Sequence, residues 1–315
     1  MKNIFLCVNS GNLGDAICST PVVRKLSNLY KKQLTVICDN KEVFANSPYV
    51  KNIFSKSSFD NCLIQQEDEF FQTFILPGQK NQFGIERKFN TFDIRQLHAI
   101  DLGFMLTPEE LHCDFFPSVF RENFNLPDKY VVLHTAKNWP NRTWSQENWQ
   151  SLIDYFRKKN IFTVLIGKNT VEIESHVIEK TFYNFSNLFG SNLINKTSVN
   201  DCWHIINNSS LFISFDTGPL HLAGTTDAQI IHLGSAKDPR LVAPYRKGSQ
   251  NYKYNYIHGS CSLFCTNNLK YSIREWNSIN SVPPLIGCLE NKMSFECQPS
   301  AKQTISFLEN CNLVK

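Results

Sequence analysis

The sequence has no apolar run approaching the roughly eighteen residues that a membrane-crossing helix needs. Its first strand-like stretch carries Lys2 and Asn9, so neither a signal peptide nor a membrane span is expected. Charge is also scarce: Asp, Glu, Lys and Arg make up 19% of the chain, with a net charge of +4. Nucleic-acid binders usually concentrate a basic face, and so mild an excess argues against nucleic acid as the partner. The motif Gly11-x-x-Gly14 is not Gly-x-Gly-x-x-Gly, and no suitably placed acidic ribose ligand follows it. A dinucleotide-dependent oxidoreductase is therefore not expected. Asp216-Thr217-Gly218 has no second copy, and no Asp-Ser-Gly stands in for one. An aspartic protease needs two aspartates sharing one proton, because like charges at such short range cannot both ionise.

What the chain does have is the composition of a folded globular protein, 42% hydrophobic and 13% aromatic. A length of 315 residues suits two domains better than one core. Without an export signal a cytoplasmic location is expected, and the eleven cysteines are then mostly reduced. The charge is uneven. Residues 1–125 carry 13 Lys and Arg against 14 Asp and Glu, while residues 126–315 carry 19 against 14. A small anionic ligand held by the second half would suit that excess.

Apolar runs at 3–8, 33–39, 50–55 and 70–76 read as strands, with an amphipathic helix from about Asp15 to Tyr30 between the first two. Ile17, Val22, Val23, Leu26 and Leu29 form its expected buried side, and 92–105 has a helical pattern. The Pro-rich stretch 107–128 reads as a linker. The second half repeats the grammar, with strands at 130–136, 161–167, 211–215 and 228–234. Its helices are 145–160, with Ser145 as N-cap and Trp149, Leu152, Ile153 and Phe156 as the stripe, then 198–207, and one starting at Pro219. A last helix runs from about Ser300 to Cys311. Strands alternating with helices in both halves mean parallel sheets with helices on both faces.

In "SLFISFDTGPLHLAG" (210–224) a buried strand therefore delivers a turn and a helix. Pro219 suits the first turn of that helix, where no amide hydrogen is needed. Gly218 allows either an unusual backbone or a close ligand approach. The amides near Thr217, Gly218 and Leu220 can then face an anion, with His221 adding a hydrogen bond. An ordinary strand–helix turn, with Asp216 as cap and His221 packed inside, fits the same residues.

Three motifs in fixed order carry a resemblance. "GNLGDAICSTPVVRKL" (11–26), "NRTWSQENWQSLI" (141–153) and "DTGPLHLAG" (216–224), followed by "HLGSAKDP" (232–239), resemble glycosyltransferase family 9, the ADP-heptose:lipopolysaccharide heptosyltransferases and their relatives. The similarity runs from residue 1 to about 246. It implies an α/β GT-B fold of two Rossmann-like domains across a cleft, an acceptor domain at 1–125 and a nucleotide-sugar domain at 126–315. It also implies that the last helix returns towards the first domain.

The resemblance implies that Asp15 is the general base that takes the acceptor hydroxyl's proton. Its local alternative is capping its own helix. It further implies donor binding by Arg142 on the diphosphate, by Thr217, Gly218, Pro219, Leu220 and His221 on diphosphate and sugar, and by Thr197 at the adenine pocket. Asp216 belongs to the same stretch, and Thr135 and Lys137 fall in a turn longer and more aromatic than the family's usual one. The sequence has no Asp-x-Asp motif of the kind that holds a metal for many sugar-nucleotide enzymes, so catalysis is expected to need no metal.

These residues imply an inverting transferase that moves a sugar, heptose by resemblance, from an ADP-linked donor. The acceptor is a glycan, a lipid-linked glycan such as lipopolysaccharide, or a protein, reached from the cytoplasm or at the inner membrane face. A GT-B-like module that binds a nucleotide-sugar or glycan without turnover is the alternative. In the tail at about 258–298, Cys261, Cys265, Cys288 and Cys297 cluster as thiols that can hold a structural zinc or iron, with buried free thiols as the other reading.

Overall fold

The computed structural model describes residues 2–73, 92–120, 124–135, 142–168, 183–246, 253–265 and 295–313, together with the backbone of 172, 173, 176 and 177. The chain forms two compact units. One comprises Met1–Val119 with Arg240–Asn251, and the other Phe120–Pro239 with Tyr252–Lys315. A single cut near residue 125 does not capture the 240–251 segment, which belongs with the first unit.

The first unit is a parallel sheet of β1 (Ile4–Val8), β2 (Leu34–Ile37), β3 (Val50–Phe54) and β4 (Glu69–Thr73), in the order β3-β2-β1-β4. Ile4, Phe5, Leu6 and Val8 are buried in β1, the near-continuous apolar run that a strand covered on both faces requires. The expected helix over 15–30 is two helices, α1 (Leu13–Cys18) and α2 (Thr20–Tyr30). Pro21 is the reason: it has no amide hydrogen to give to the Ile17 carbonyl, so the helix ladder is interrupted there and a new helix starts around it. Ser19 and Thr20 turn their hydroxyls back on the carbonyls of Ala16 and Ile17 at the break. Ile17, Val22, Val23 and Leu26 are buried as expected, but Leu29 is 65% exposed.

After α3 (Ile94–Asp101) the chain does not behave as a linker. Leu111, Cys113 and Phe115 alternate into the core, Arg24 of α2 pairs with Asp114, and Lys25 Nζ lies 2.6 Å from Glu110 Oε1. Extended chain strapped by side chains accounts for this segment as far as Val119.

The second unit is a six-stranded sheet in which every pairing is parallel. Its strands are β5 (Tyr130–His134), β6 (Phe162–Ile166), β9 (Gly190–Asn192), β10 (Leu211–Ser214), β11 (Ile230–Leu233) and β12 (Tyr254–Ile257). A short antiparallel pair, β7 (Glu172–Ile173) and β8 (His176–Val177), lies between β6 and β9 in sequence. The order is β12-β11-β10-β5-β6-β9. Strands β9 and β12, at the two edges, are too short or too polar to show as apolar runs.

Helix α4 (Gln146–Lys158) is capped by Ser145, whose hydroxyl accepts from the Asn148 amide, and it buries Trp149, Leu152, Ile153 and Phe156. Helix α5 (Val199–Asn207) starts from a reciprocal Ser198–Asp201 cap, and α6 (Gly218–Ala223) follows β10. The last helix, α7 (Ala301–Asn310), packs into the second unit's own core through Ala301 and Leu308, and its Ala301 amide donates to Asn148 Oδ1 at 3.1 Å. Within its own unit this helix packs on α4. Among the described residues no helix is long and apolar enough to cross a membrane.

Candidate functional site

In an open parallel sheet, ligands bind beyond the carboxyl ends of the strands, where the strand order reverses. In the second unit that reversal lies between β5 and β10: the chain runs from β5 to β6 and β9 on one side, then crosses to β10, β11 and β12 on the other. The residues just past those two strands are Thr135 and 215–218. Asp216 is 2% exposed there. Its Oδ1 meets His221 Nε2 at 3.3 Å, and its Oδ2 meets Lys237 Nζ at 3.1 Å and Arg142 Nη1 at 3.2 Å. Arg142 Nη1 also donates to the Asp216 carbonyl at 2.8 Å. Burial pushes the Asp216 carboxyl up, but Lys237, the His221 hydrogen bond and Arg142 together outweigh it and hold the group well below the usual carboxylate range. Asp216 is thus an ionised anchor for basic side chains and not the helix cap, a position taken by Thr217.

Around this anchor runs a hydroxyl–imidazole network. Thr217 Oγ1 lies 3.0 Å from Ser214 Oγ and 3.2 Å from His134 Nδ1, and the Ser214 hydroxyl donates to the Phe215 carbonyl at 2.8 Å. Burial lowers the pKa of His134 to about 4, so its imidazole is neutral at pH 7. The Thr217 hydroxyl is occupied here and does not cap α6. Gly218 has ordinary helical backbone, since Gly103 and Gly167 are the glycines with positive φ among the described residues. Thr135 Oγ1 and His221 Nδ1 are buried without a hydrogen-bond partner among the described residues. Leu220 is fully buried, and its amide donates to the Thr217 carbonyl at 3.0 Å instead of facing outward as expected.

Arg142 is placed by the wedge of Trp144, two residues further on. Trp144 is 1% exposed, donates from Nε1 to the Pro299 carbonyl at 2.7 Å, and packs edge-on against Trp149 and Phe215. That wedge ties the 142–144 segment to the end of β10. Lys237 arrives from the turn after β11, the neighbour of β10. The 232–239 motif contains Lys237 but gives it no role in the sequence, and sequence reasoning missed His134 and Ser214. The usable signal was position, because all three stand at or just past the carboxyl ends of central strands. Thr197 lies in the loop between β9 and α5, its hydroxyl 3.1 Å from Cys202 Sγ. Lys137 lies outside the described residues.

The first unit has its own reversal, between β1 and β4. Past the end of β1, the loop 9–12 leads into α1 with Asp15 in its first turn. Asn12 is the N-cap, so Asp15 does not cap the helix. Its Oδ2 instead accepts from the Ser10 hydroxyl at 2.5 Å and from Asn12 Nδ2 at 3.4 Å, and the residue is 8% exposed. Two side chains hold the loop's backbone: Asn40 Nδ2 donates to the Gly11 carbonyl at 2.8 Å, and Lys56 Nζ to the Asn9 carbonyl at 2.7 Å. The result is a carboxylate in the first turn of α1, behind a short tethered loop at the carboxyl end of β1. Such a group can take a proton from a hydroxyl brought to it.

In the tail, the Gly259 amide donates to the Cys297 carbonyl at 3.0 Å and the Cys261 amide to the Glu296 carbonyl at 3.1 Å, setting the two chain segments side by side. Cys265 and Cys297 are buried. Among the described residues no three His, Cys, Asp or Glu side chains come together as a metal site, and Cys288 lies outside those residues.

Comparison with known proteins gives a consistent result. Residues 74–267 match the family described as Glycosyltransferase family 9 (heptosyltransferase). No curated protein matches the chain. Among solved structures, a family 9 glycosyltransferase from Veillonella parvula superposes with a TM-score of 0.65 at 14% identity, over 98% of this chain and 97% of that one. TibC from enterotoxigenic E. coli, an iron-containing dodecameric glycosyltransferase, gives 0.71 at 14% identity over 100% and 80%. E. coli heptosyltransferase WaaC with ADP gives 0.53 at 14% identity over 98% and 99%. TibC has also been solved in complex with ADP-D-β-D-heptose.

Proposed function

The chain belongs to glycosyltransferase family 9 and has the GT-B type of fold, and from that premise we propose that it is an inverting transferase using a nucleotide-sugar donor. The acceptor hydroxyl oxygen forms a bond to the anomeric carbon as the bond from that carbon to the diphosphate oxygen breaks. The hydroxyl proton passes to the Asp15 carboxylate, and the electron pair of the broken bond leaves with the nucleoside diphosphate. The hydrogen bond from the Ser10 hydroxyl, which fixes one oxygen of Asp15, supports its reading as that base.

The observation that carries the reading is the basic cluster on Asp216 at the reversal point of the second unit. A departing diphosphate gains negative charge in the transition state, and fixed cations at that place stabilise it without reorganising. Arg142 supplies a planar donor suited to phosphate oxygens, and the start of α6 at Thr217, Gly218 and Pro219 carries no side-chain cap. Thr135 and His221 each keep a buried polar atom for the donor. Thr197, with Lys137, completes the donor side in this reading. The complex of TibC with ADP-D-β-D-heptose supports ADP-heptose as the donor. The acceptor is a glycan, lipopolysaccharide or protein hydroxyl, and the charge on the bound diphosphate is met by protein groups with no metal in the step.

A structural zinc or iron in the tail belongs to the same proposal. TibC is iron-containing, thiolates suit either metal, and the pairing of 259–261 with 296–297 brings two of the four cysteine positions alongside. Completing such a site depends on Cys265 and Cys288 as well.

Substitution of the base tests the function. In a transfer assay with ADP-heptose, Asp15→Asn is expected to lower kcat by about 10²–10⁴-fold, the usual worth of a positioned general base. ADP affinity should stay within about twofold, because the mutation leaves uniform donor binding intact. A chain that binds nucleotide-sugars but transfers nothing to any acceptor would instead be a binding module.

A further inference from the structure

We propose that Lys237 is a second phosphate-binding cation of the donor site, working beside Arg142; this rests on the reading of the 216–221 turn as that site. The argument starts from charge. Among the described residues, Asp216 contributes one negative charge to the cluster, and Arg142 and Lys237 contribute two positive ones. The cluster is largely withdrawn from water: the side chains of Asp216, Arg142 and Lys237 are 3%, 18% and 25% exposed. Partly buried cations in excess over their counter-charge are costly unless an anion completes the site.

The two cations are held differently. Arg142 is fastened twice by Asp216, at its carbonyl and at Oδ2, and Trp144 locks the chain beside it. Lys237 is held to Asp216 by one contact at the end of a flexible four-carbon stem. Its ammonium has three donors and can keep Asp216 while adding a phosphate oxygen. Its backbone lies in a closely packed turn. A Cβ on Gly234, at the start of its turn, would collide with His258, so the chain passes close there, and the Lys237 amide donates to Ser235 Oγ at 3.2 Å. A second observation points the same way. Thr135 Oγ1 and His221 Nδ1 are buried without partners among the described residues, at the end of the sheet from which these cations project. Buried polar atoms left unsatisfied are the mark of a place that a polar ligand fills.

The test is binding of ADP, AMP and adenosine, by calorimetry, to wild type, Lys237→Met and Lys237→Arg. Losing a charge-assisted hydrogen bond is expected to weaken ADP by about 10- to 100-fold. Adenosine affinity should not change, AMP should fall less than ADP, and arginine should restore most of the ADP affinity. Lys237→Gln, which keeps a polar contact to Asp216, repeats the test should Lys237→Met fail to fold. Wild type that binds ADP while the Met or Gln variant binds it equally well overturns the role of Lys237. So does an equal loss for adenosine and ADP, which means a structural role. Wild type that binds no nucleoside diphosphate overturns the donor-site reading itself.

Discussion

Acid is expected to destabilise the second unit over a pH range set by two histidines and not by its carboxylates. His134 at the end of β5 and His232 in β11 are buried, and burial lowers their pKa values from 6.5 to about 4 and about 3. For His232, Asp216 pulls the other way, but burial reinforced by His221, Lys237 and His258 prevails. In the unfolded chain both imidazoles take up protons as the pH falls through 6.5, while in the folded unit they stay neutral. A folded-state pKa that is depressed leaves stability intact above 6.5 and removes it between 6.5 and the folded value. At about 1.4 kcal/mol per pH unit, His134 alone accounts for a loss of about 3 kcal/mol by pH 4, and His232 for a loss of the same order. That is a large share of the roughly 5–15 kcal/mol that holds a typical domain folded. Asp216 acts lower on the scale: its folded pKa lies below 3.8, so its contribution is present above 3.8 and is lost only as the pH falls further. The assay is urea unfolding between pH 7.5 and 4.5 followed by tryptophan fluorescence. All five tryptophans lie between residues 139 and 276, in segments of the second unit, so the signal reports that unit. His134→Asn keeps a polar partner for Ser214 and Thr217 but cannot titrate, and it should remove a sizeable part of the slope. Stability that is flat from pH 7 to 5 and falls only below 4 would refute the argument.

Two further outcomes come from the geometry and one from the cysteine tail. Leu308 is fully buried among the side chains of α4, so Leu308→Ala should cost about 2–5 kcal/mol in the same urea assay; a cost below about 1 kcal/mol would mean that α7 is not anchored in that core. Transfer activity should survive a mild chelator, whereas loss on chelation with recovery in magnesium or manganese would rule out catalysis by protein cations alone. Metal analysis of untagged protein should find zinc or iron that Cys261→Ser reduces, and metal-free wild type would remove the tail site.

Much of the second unit was legible because its signals are local. Ser145, Ser198 and Ser300 each precede an apolar stripe and each caps the helix that it starts, since a hydroxyl before the first turn satisfies an amide the helix leaves open. Spacing was less informative where the length of a layer mattered. Leu29 continues the stripe of α2 but falls in the last turn before Lys31, whose left-handed φ of 51° ends the helix. Periodicity gives the direction of a side chain and not the extent of the surface that covers it. Strand β9, Gly190-Ser191-Asn192, has no apolar run at all. It is visible only through its partner, because a Cβ at Gly190 would run into the Thr163 carbonyl of β6.

The site itself shows the sharper limit. Asp216, Thr217 and His221 could be singled out because they share one short motif after one strand. Lys237 sits 21 residues beyond Asp216 and Arg142 sits 74 before it, and nothing in either neighbourhood specifies the other. They meet because β5, β10 and β11 are adjacent and parallel, so the turns after all three open at the same edge of the sheet. A parallel sheet makes such convergence general: every crossover returns the chain to start its next strand at the far edge, and every strand then delivers a turn to this one. The same rule puts the Asp15 loop at the carboxyl edge of the first sheet, after β1 and beside β4. Lys237 is the first cation after β11, the strand that pairs with β10 at the reversal, and the strand order alone puts it at this site.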